Sequence, residues 1–273
     1  MHNPFVPETL EGWSLLHLMY RVKWQEVGAL SSADRARLAD EAVAAMAGDG
    51  PTAFAQMLGH KADLMVTCFR RSFDALGAAQ LAWSRSGLAQ YLEPTTSYVS
   101  IVELGMYEMT AKIHEQLGAK FKPGSEEFEK AFDAEMDTQR GRVQNRLFGE
   151  VPPFRYVCFY PMNKRRGEAL NWYSEGFERR ALMMREHGMI GRHYAGKVTQ
   201  IISGSIGYDD WEWGVDLYAP DAVTFKRLIY EMRFDEASAK FAEFGPFYVG
   251  LQFAPAQLGA MLDGQVPSLE PQS

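Results

Sequence analysis

The chain is short of several things. It carries two cysteines, Cys68 and Cys158, in 273 residues. Each sits in an apolar, strand-like run, so they read as inert buried thiols rather than a disulfide framework, and two cysteines so far apart make no zinc site. Six histidines are present, and no two stand at a helical zinc spacing such as His-Glu-x-x-His. No apolar run approaches the ~20 residues needed to cross a bilayer, so no membrane span is expected. The first residues, MHNPFVPETLEGW, lack a basic n-region and an apolar h-region, so no secretory signal is expected and the expected setting is cytoplasmic. Positive charge is also scarce: 28 Lys and Arg against 35 Asp and Glu leave a net charge of −7. A general nucleic-acid footprint is therefore not expected.

What is present is the profile of a globular protein, 47% hydrophobic and 23% charged, with length for one large or two small domains. The basic residues are uneven. Lys164, Arg165, Arg166, Arg179, Arg180, Arg185, Arg192 and Lys197 fall in one short stretch. A locally basic pocket in an acidic protein suits a small anionic ligand.

Periodicity predicts strands over 12–24, 62–71 and 96–107, with helices over 31–48 and 72–91 between them. Ser31 or Ser32 can cap the first helix, and Gly48 and Gly50 stop it. A charged stretch over 110–145 reads as a solvated helical joint. The order then repeats: strand 155–162, helix 171–188 with Gly188 as its stop, strands 198–207 and 209–219, a helix from Asp221 to Phe241, and strand 244–253. The last residues, polar and proline-containing, read as a frayed tail. Strands start near 12, 62 and 97, then near 155, 211 and 246. This spacing predicts two copies of one α+β unit, each an antiparallel sheet with helices on one face, packed into a barrel-like body.

Several residues of the second half could carry chemistry. Tyr160 ends an apolar run, and Pro161 is read as the turn that stops the strand so that Tyr160 and Lys164 both face one cavity. Tyr160 is either a packed aromatic or a redox-active phenol. Lys164 is either a solvated turn residue or a partner for a carboxylate and a proton donor. His187, in LMMREHGMIGR, is either a histidine favoured by a helix C-terminus or a single axial imidazole for a haem-type iron. Gln200 is a polar residue on an Ile-rich strand that, if it points inward, needs a partner. Arg146 and Arg233 are surface arginines or forked partners for carboxylates.

The motifs FYPMNKRR, NWY, REHGMIGRHYAGKVTQIISGSIGYDDWEWGVDLY and IYEMRFDEASAKFAEFGPFYVG together resemble the coproheme decarboxylases, peroxide-dependent haem synthases of the chlorite-dismutase-like superfamily. ETLEGWSLLHLMYRVKW, GHKADLMVTCFR and PTTSYVSIVEL extend the resemblance to roughly 8–253. It implies two ferredoxin-like repeats forming a dimeric α+β barrel within one chain: an N-terminal repeat over 8–108, a helical connector over 109–150, a C-terminal repeat with the site over 151–253, and a flexible tail over 254–273. It implies iron coproporphyrin III (coproheme) as substrate and redox centre, hydrogen peroxide as oxidant, haem b and carbon dioxide as products, a homopentamer, and transient contact with coproporphyrin ferrochelatase. By position in the motifs, His187 looks like the iron ligand, Tyr160 like the radical residue and Lys164 like the residue serving the second decarboxylation. Gln200 looks like the distal polar group, Arg146 and Arg233 like propionate binders, and Met162 and Trp172 like pocket wall. Chlorite dismutases carry a distal arginine where this chain has Gln200, and a neutral amide disfavours chlorite chemistry. The alternatives are a haem b-binding peroxidase or chlorite dismutase-like protein, and a non-catalytic haem carrier that would need no combination of Tyr160, Lys164 and Gln200.

Overall fold

The computed structural model describes residues 6–269. The first five residues read for a leader and the last four of the tail lie outside them. The first repeat is β1 (Thr9–Val22), α1 (Trp24–Gly28), α2 (Ser32–Ala45), β2 (Thr52–Met57), β3 (Leu64–Arg70), α3 (Phe73–Arg85) and β4 (Leu92–Gly105). Helices α4 (Tyr107–Gly118) and α5 (Glu126–Leu147) follow. The second repeat is β5 (Tyr156–Lys164), α6 (Phe177–His193), β6 (Thr199–Gly204), β7 (Trp213–Ala219), α7 (Ala222–Met232), α8 (Glu236–Phe241), β8 (Ala242–Phe244) and β9 (Tyr248–Phe253). A short helix, α9 (Leu258–Leu262), closes the described chain.

All strand pairings are antiparallel, in the order β7-β6-β4-β1-β3-β2-β9-β5-β8, and β5 also pairs with β7. The second pairing closes the sheet into a barrel. Within each repeat the strands run fourth-first-third-second: β4-β1-β3-β2, then β9-β5-β7-β6. This is the ferredoxin-like order, met twice and joined at β4–β6 and β2–β9. Closure leaves the eight barrel strands without a free edge.

Strand alternation sorts the side chains into layers. On β1, Leu16, Leu18, Tyr20 and Val22 point outward beneath α2, α3 and α9, and Met19 points into the barrel. On β5, Val157 and Phe159 point inward, whereas Cys158 and Tyr160 point outward against Phe225, Leu228 and Met232 of α7. Inside the barrel, His17 of β1 and Asp216 of β7 meet with no exposed surface at 3.0 Å, tying the two repeats together. His17 also stacks on Phe159, with ring centroids 4.2 Å apart.

Several expectations need correction. Strand β2 has no counterpart in the sequence reading. The 72–91 helix is α3 followed by a 3-10 turn over Gly87–Tyr91. The 171–188 helix begins at Phe177 and runs through Gly188 to His193, because packing on α7 and α8 outweighs glycine's low propensity. The helix from Asp221 breaks before Asp235, which caps α8 by accepting from Ser238 N–H at 2.9 Å. The joint is not simply solvated: Phe128, Phe132 and Met136 of α5 and Ile113 of α4 bury a cluster with Leu10 of β1. The tail does not fray where it is described, since Leu258, Met261 and Leu262 are buried against α2.

Candidate functional site

Strand β5 sets the geometry. It does not end at Tyr160, as the sequence suggested, but continues through Pro161, paired with Gly214, to Lys164, paired with Ala242. The Pro161 carbonyl accepts from Gly245 N–H at 2.9 Å, so its ring nitrogen faces the same side, where the partner changes from β9 to β8 and no N–H is needed. Tyr160 and Lys164 therefore share a face by the strand's period of two, not by a turn. Tyr160, Met162 and Lys164 form a column, with its ends about 13 Å apart at the usual rise per residue.

Tyr160 is 4% exposed. Phe247 stacks on it at 4.6 Å, and Phe244 lies tilted at 5.7 Å. Gly245 permits this approach, because a Cβ there would meet the Pro161 ring at 2.8 Å. The Arg233 guanidinium lies over the far ring, 4.1 Å from the Phe244 centroid. Burial, with a smaller contribution from Cys158, pushes the phenol well above its usual pKa, and Arg233 opposes this only in part. The group is a protonated phenol at neutral pH, fit to lose a hydrogen atom rather than to act as a phenolate.

Lys164 is also buried. Its ammonium stands 4.5 Å over the Trp172 ring and donates to the Ala237 carbonyl at 3.4 Å. Trp172 is itself buried, edge-on to Phe241. Burial pulls the Lys164 pKa down to about 8, against the carboxylates of Asp235 and Glu212.

His187 lies mid-helix on α6, not at a helix C-terminus, and is 26% exposed. Its Nδ1 meets Asp235 Oδ2 at 3.0 Å and Ser238 Oγ at 3.3 Å, and the Ser238 hydroxyl donates to the same Asp235 oxygen at 3.0 Å. Burial alone would raise the Asp235 carboxyl, but the hydrogen bond and charge of His187, with Ser238, hold it below its usual value. An Nδ1–H donated to a carboxylate leaves the Nε2 lone pair for a metal, and Nε2 has no partner among the described residues. The imidazole thus fits a single axial ligand to a haem-type iron. No group of three or more His, Cys, Asp or Glu that could hold a metal ion is found among the described residues.

Gln200 pairs with Leu217 and Ile202 with Val215, and Leu217 and Val215 lie in the cluster that meets Ile190 of α6 and Leu228 of α7. Gln200 and Ile202 hence stand on the helix-side face of the sheet. They are uncovered, Ile202 being 38% exposed, because α6 rests on α4, α7 and α8. Gln200 is exposed on this face, contrary to the inward reading. On this exposed stretch of β6 a polar amide stands two residues from an aliphatic side chain.

Not every expected residue joins this group. Met162 is half-buried within the same outward cluster. Arg233 reaches it over Phe244. Arg146 is exposed in the last turn of α5 and makes no hydrogen bond or ion pair to Tyr160, Lys164 or His187. The basic stretch is less free than its composition suggests: Arg165 pairs with Glu243, Arg166 with Glu212, and Arg179 with Glu175 and Glu236. Asp235, Ser238 and Glu212 were not singled out from sequence. The D-x-x-S cap signature marks Asp235 locally, but nothing local points to Glu212.

The chlorite dismutase family model matches residues 33–253. The chain belongs to the chlorite dismutase family. It is 40% identical over 255 residues to a coproheme decarboxylase of Staphylococcus saprophyticus, covering 90% of this chain and 94% of that one. It is also 40% identical to a candidate heme-binding protein of Haloquadratum walsbyi, over 97% of this chain and about half (49%) of the relative's length. The solved structure of a heme-binding protein from Thermus thermophilus shares the fold at a TM-score of 0.79 and 39% identity, covering 96% of this chain and all (100%) of that one. No described helix is long and apolar enough to cross a membrane.

Proposed function

We propose that this chain oxidatively decarboxylates two propionates of iron coproporphyrin III to vinyl groups, with hydrogen peroxide as oxidant, giving haem b and carbon dioxide. The observation that carries the reading is the outward column of β5: a buried phenol and a buried ammonium on one sheet face, beside a histidine whose free nitrogen can take iron. The 40% identity to a coproheme decarboxylase over nearly its full length supports it. The iron porphyrin, once bound, turns peroxide into oxidising equivalents.

The chain's residues then divide the work. His187 holds iron through Nε2, and Asp235 fixes its tautomer. Tyr160 loses an electron and a proton, and the resulting phenoxyl takes a hydrogen atom from the β-carbon of a propionate. Release of carbon dioxide and of one further electron leaves the vinyl. Per propionate, one peroxide and one proton are consumed, and one carbon dioxide and two waters are formed. Lys164 serves the second propionate. Arg233 and Arg146 pair with propionates, Met162 and Trp172 wall the pocket, and Gln200 offers a neutral amide on the distal side, which does not suit chlorite. The working form is a cytoplasmic homopentamer that takes coproheme from coproporphyrin ferrochelatase.

Mass spectrometry of coproheme incubated with the protein and titrated peroxide tests this. Two successive losses, each of carbon dioxide and two hydrogens, are the expected result. Binding of haem b with no loss from coproheme would instead point to a peroxidase or carrier.

A further inference from the structure

Glu212 lies just ahead of β7 and is buried, and its carboxylate and its N–H converge on one stretch of chain, while its carbonyl accepts from Ser205 N–H at 2.8 Å. Its Oε2 accepts from the Lys164 backbone N–H at 2.8 Å, and its Oε1 faces Arg166 Nε at 3.5 Å. Its own N–H donates to Asn163 Oδ1 at 2.7 Å. Burial and then the charge of the same carboxylate hold the Tyr173 phenol above its usual pKa. A buried carboxylate is costly unless its oxygens are engaged, and here both oxygens engage residues 164–166 at the end of β5.

Lys164 needs such a lock. It ends a strand, where ladders fray, and its ammonium rides on a flexible four-carbon stem. The Trp172 ring and the Ala237 carbonyl contact that ammonium, and the carboxylates of Asp235, at the start of α8, and Glu212, just ahead of β7, both favour its charge. Arg166 and Tyr173 stand behind Glu212, and His187 stands behind Asp235.

Resting on the decarboxylase reading, we propose that Glu212 is the positioning residue for Lys164: it pins the end of β5 from which the ammonium projects, so that the second decarboxylation depends on it and the first does not. Glu212 does not touch the β5 column at Tyr160. Losing it leaves the phenol, its Phe244 and Phe247 neighbours and His187 as they are.

The test uses the full chain, with E212Q and E212A beside wild type. In the loaded protein, both variants should release the first carbon dioxide at the wild-type rate. The second loss should slow by roughly tenfold to a hundredfold, the scale of a small misplacement, with the singly decarboxylated porphyrin accumulating. In the ligand-free protein, NMR of 13C-labelled lysines, with K164M assigning the resonance, should show the Lys164 titration at lower pH in E212Q, since a carboxylate that favours the ammonium is gone. E212Q keeps an acceptor for the backbone N–H, so it reports even if E212A does not fold. The proposal is overturned if both variants run both steps at wild-type rates, or if both steps fall equally while the lysine titrates as in wild type. Should wild type itself release no carbon dioxide, the decarboxylase reading fails, and the lysine titration alone decides whether Glu212 governs Lys164.

Discussion

Replacing Lys164 by Met keeps the length of the side chain and its contact with Trp172 but removes the charge. The ammonium is buried, and its pKa falls from 10.5 to about 8. At about 1.4 kcal/mol per pH unit, that difference corresponds to roughly 3 kcal/mol by which folding disfavours the charged form. The sign follows from proton counts. Below about pH 8 both folded and unfolded chains hold the proton, and the full cost is present. Between about 8 and 10.5 the folded chain has released it and the unfolded chain has not, so the unfolded state binds more protons and stability rises with pH. Urea unfolding of wild type and K164M from about pH 7 to about pH 10.5 measures this directly, because other alkaline titrations cancel in the difference. Wild type should gain about 3 kcal/mol on the variant across that window. A difference that stays flat with pH would refute the reasoning, since Lys164 would then be neither buried nor strained as a cation.

Other outcomes follow from single contacts. Y160F keeps the ring between Phe244 and Phe247, so it should melt within about 1 kcal/mol of wild type while releasing no carbon dioxide, as read by product mass spectrometry. D235N should weaken iron-porphyrin binding by roughly tenfold to a hundredfold in an absorption titration, through loss of the charge behind His187. In acid, the stability that Asp235 contributes is present above its usual carboxylate range and is lost as pH falls below it, so the D235N melting curve should lack that acid step. H17A leaves the Asp216 carboxylate buried without its partner between the repeats and should cost about 3–5 kcal/mol in urea. Truncation before Pro255 uncovers the surface beneath Leu258, Met261 and Leu262, at about 2 kcal/mol for each side chain, and should lower the melting temperature markedly.

Much of the fold was legible because alternation is a local property. β1, β3, β4, β5 and β7 show apolar runs that any antiparallel half-buried strand would show, and their repeated spacing exposed the two-unit plan. β2 escaped notice because TAFAQM is six residues, two of them alanine, between a Gly-Asp-Gly-Pro turn and Gly59. Pro161 and Gly188 misled because each is a local stop signal that packing overrode. Pro161 sits at a break in the ladder where its missing N–H costs nothing, and Gly188 lies in a helix held by three others.

By itself, the order of residues determined which side chains could do chemistry, whereas the strand face that Tyr160 and Lys164 share came from the ladder that carries β5 past Pro161. The order of residues also determined the family motifs, which run along the chain. Only the tertiary structure decided what surrounds them: that β5 pairs with β7 and β8, that Asp235 arrives behind His187 from another helix, and that Glu212 reaches back to Lys164. Those contacts join residues far apart in the chain, and no local propensity encodes a pairing whose free energy appears only when the barrel closes.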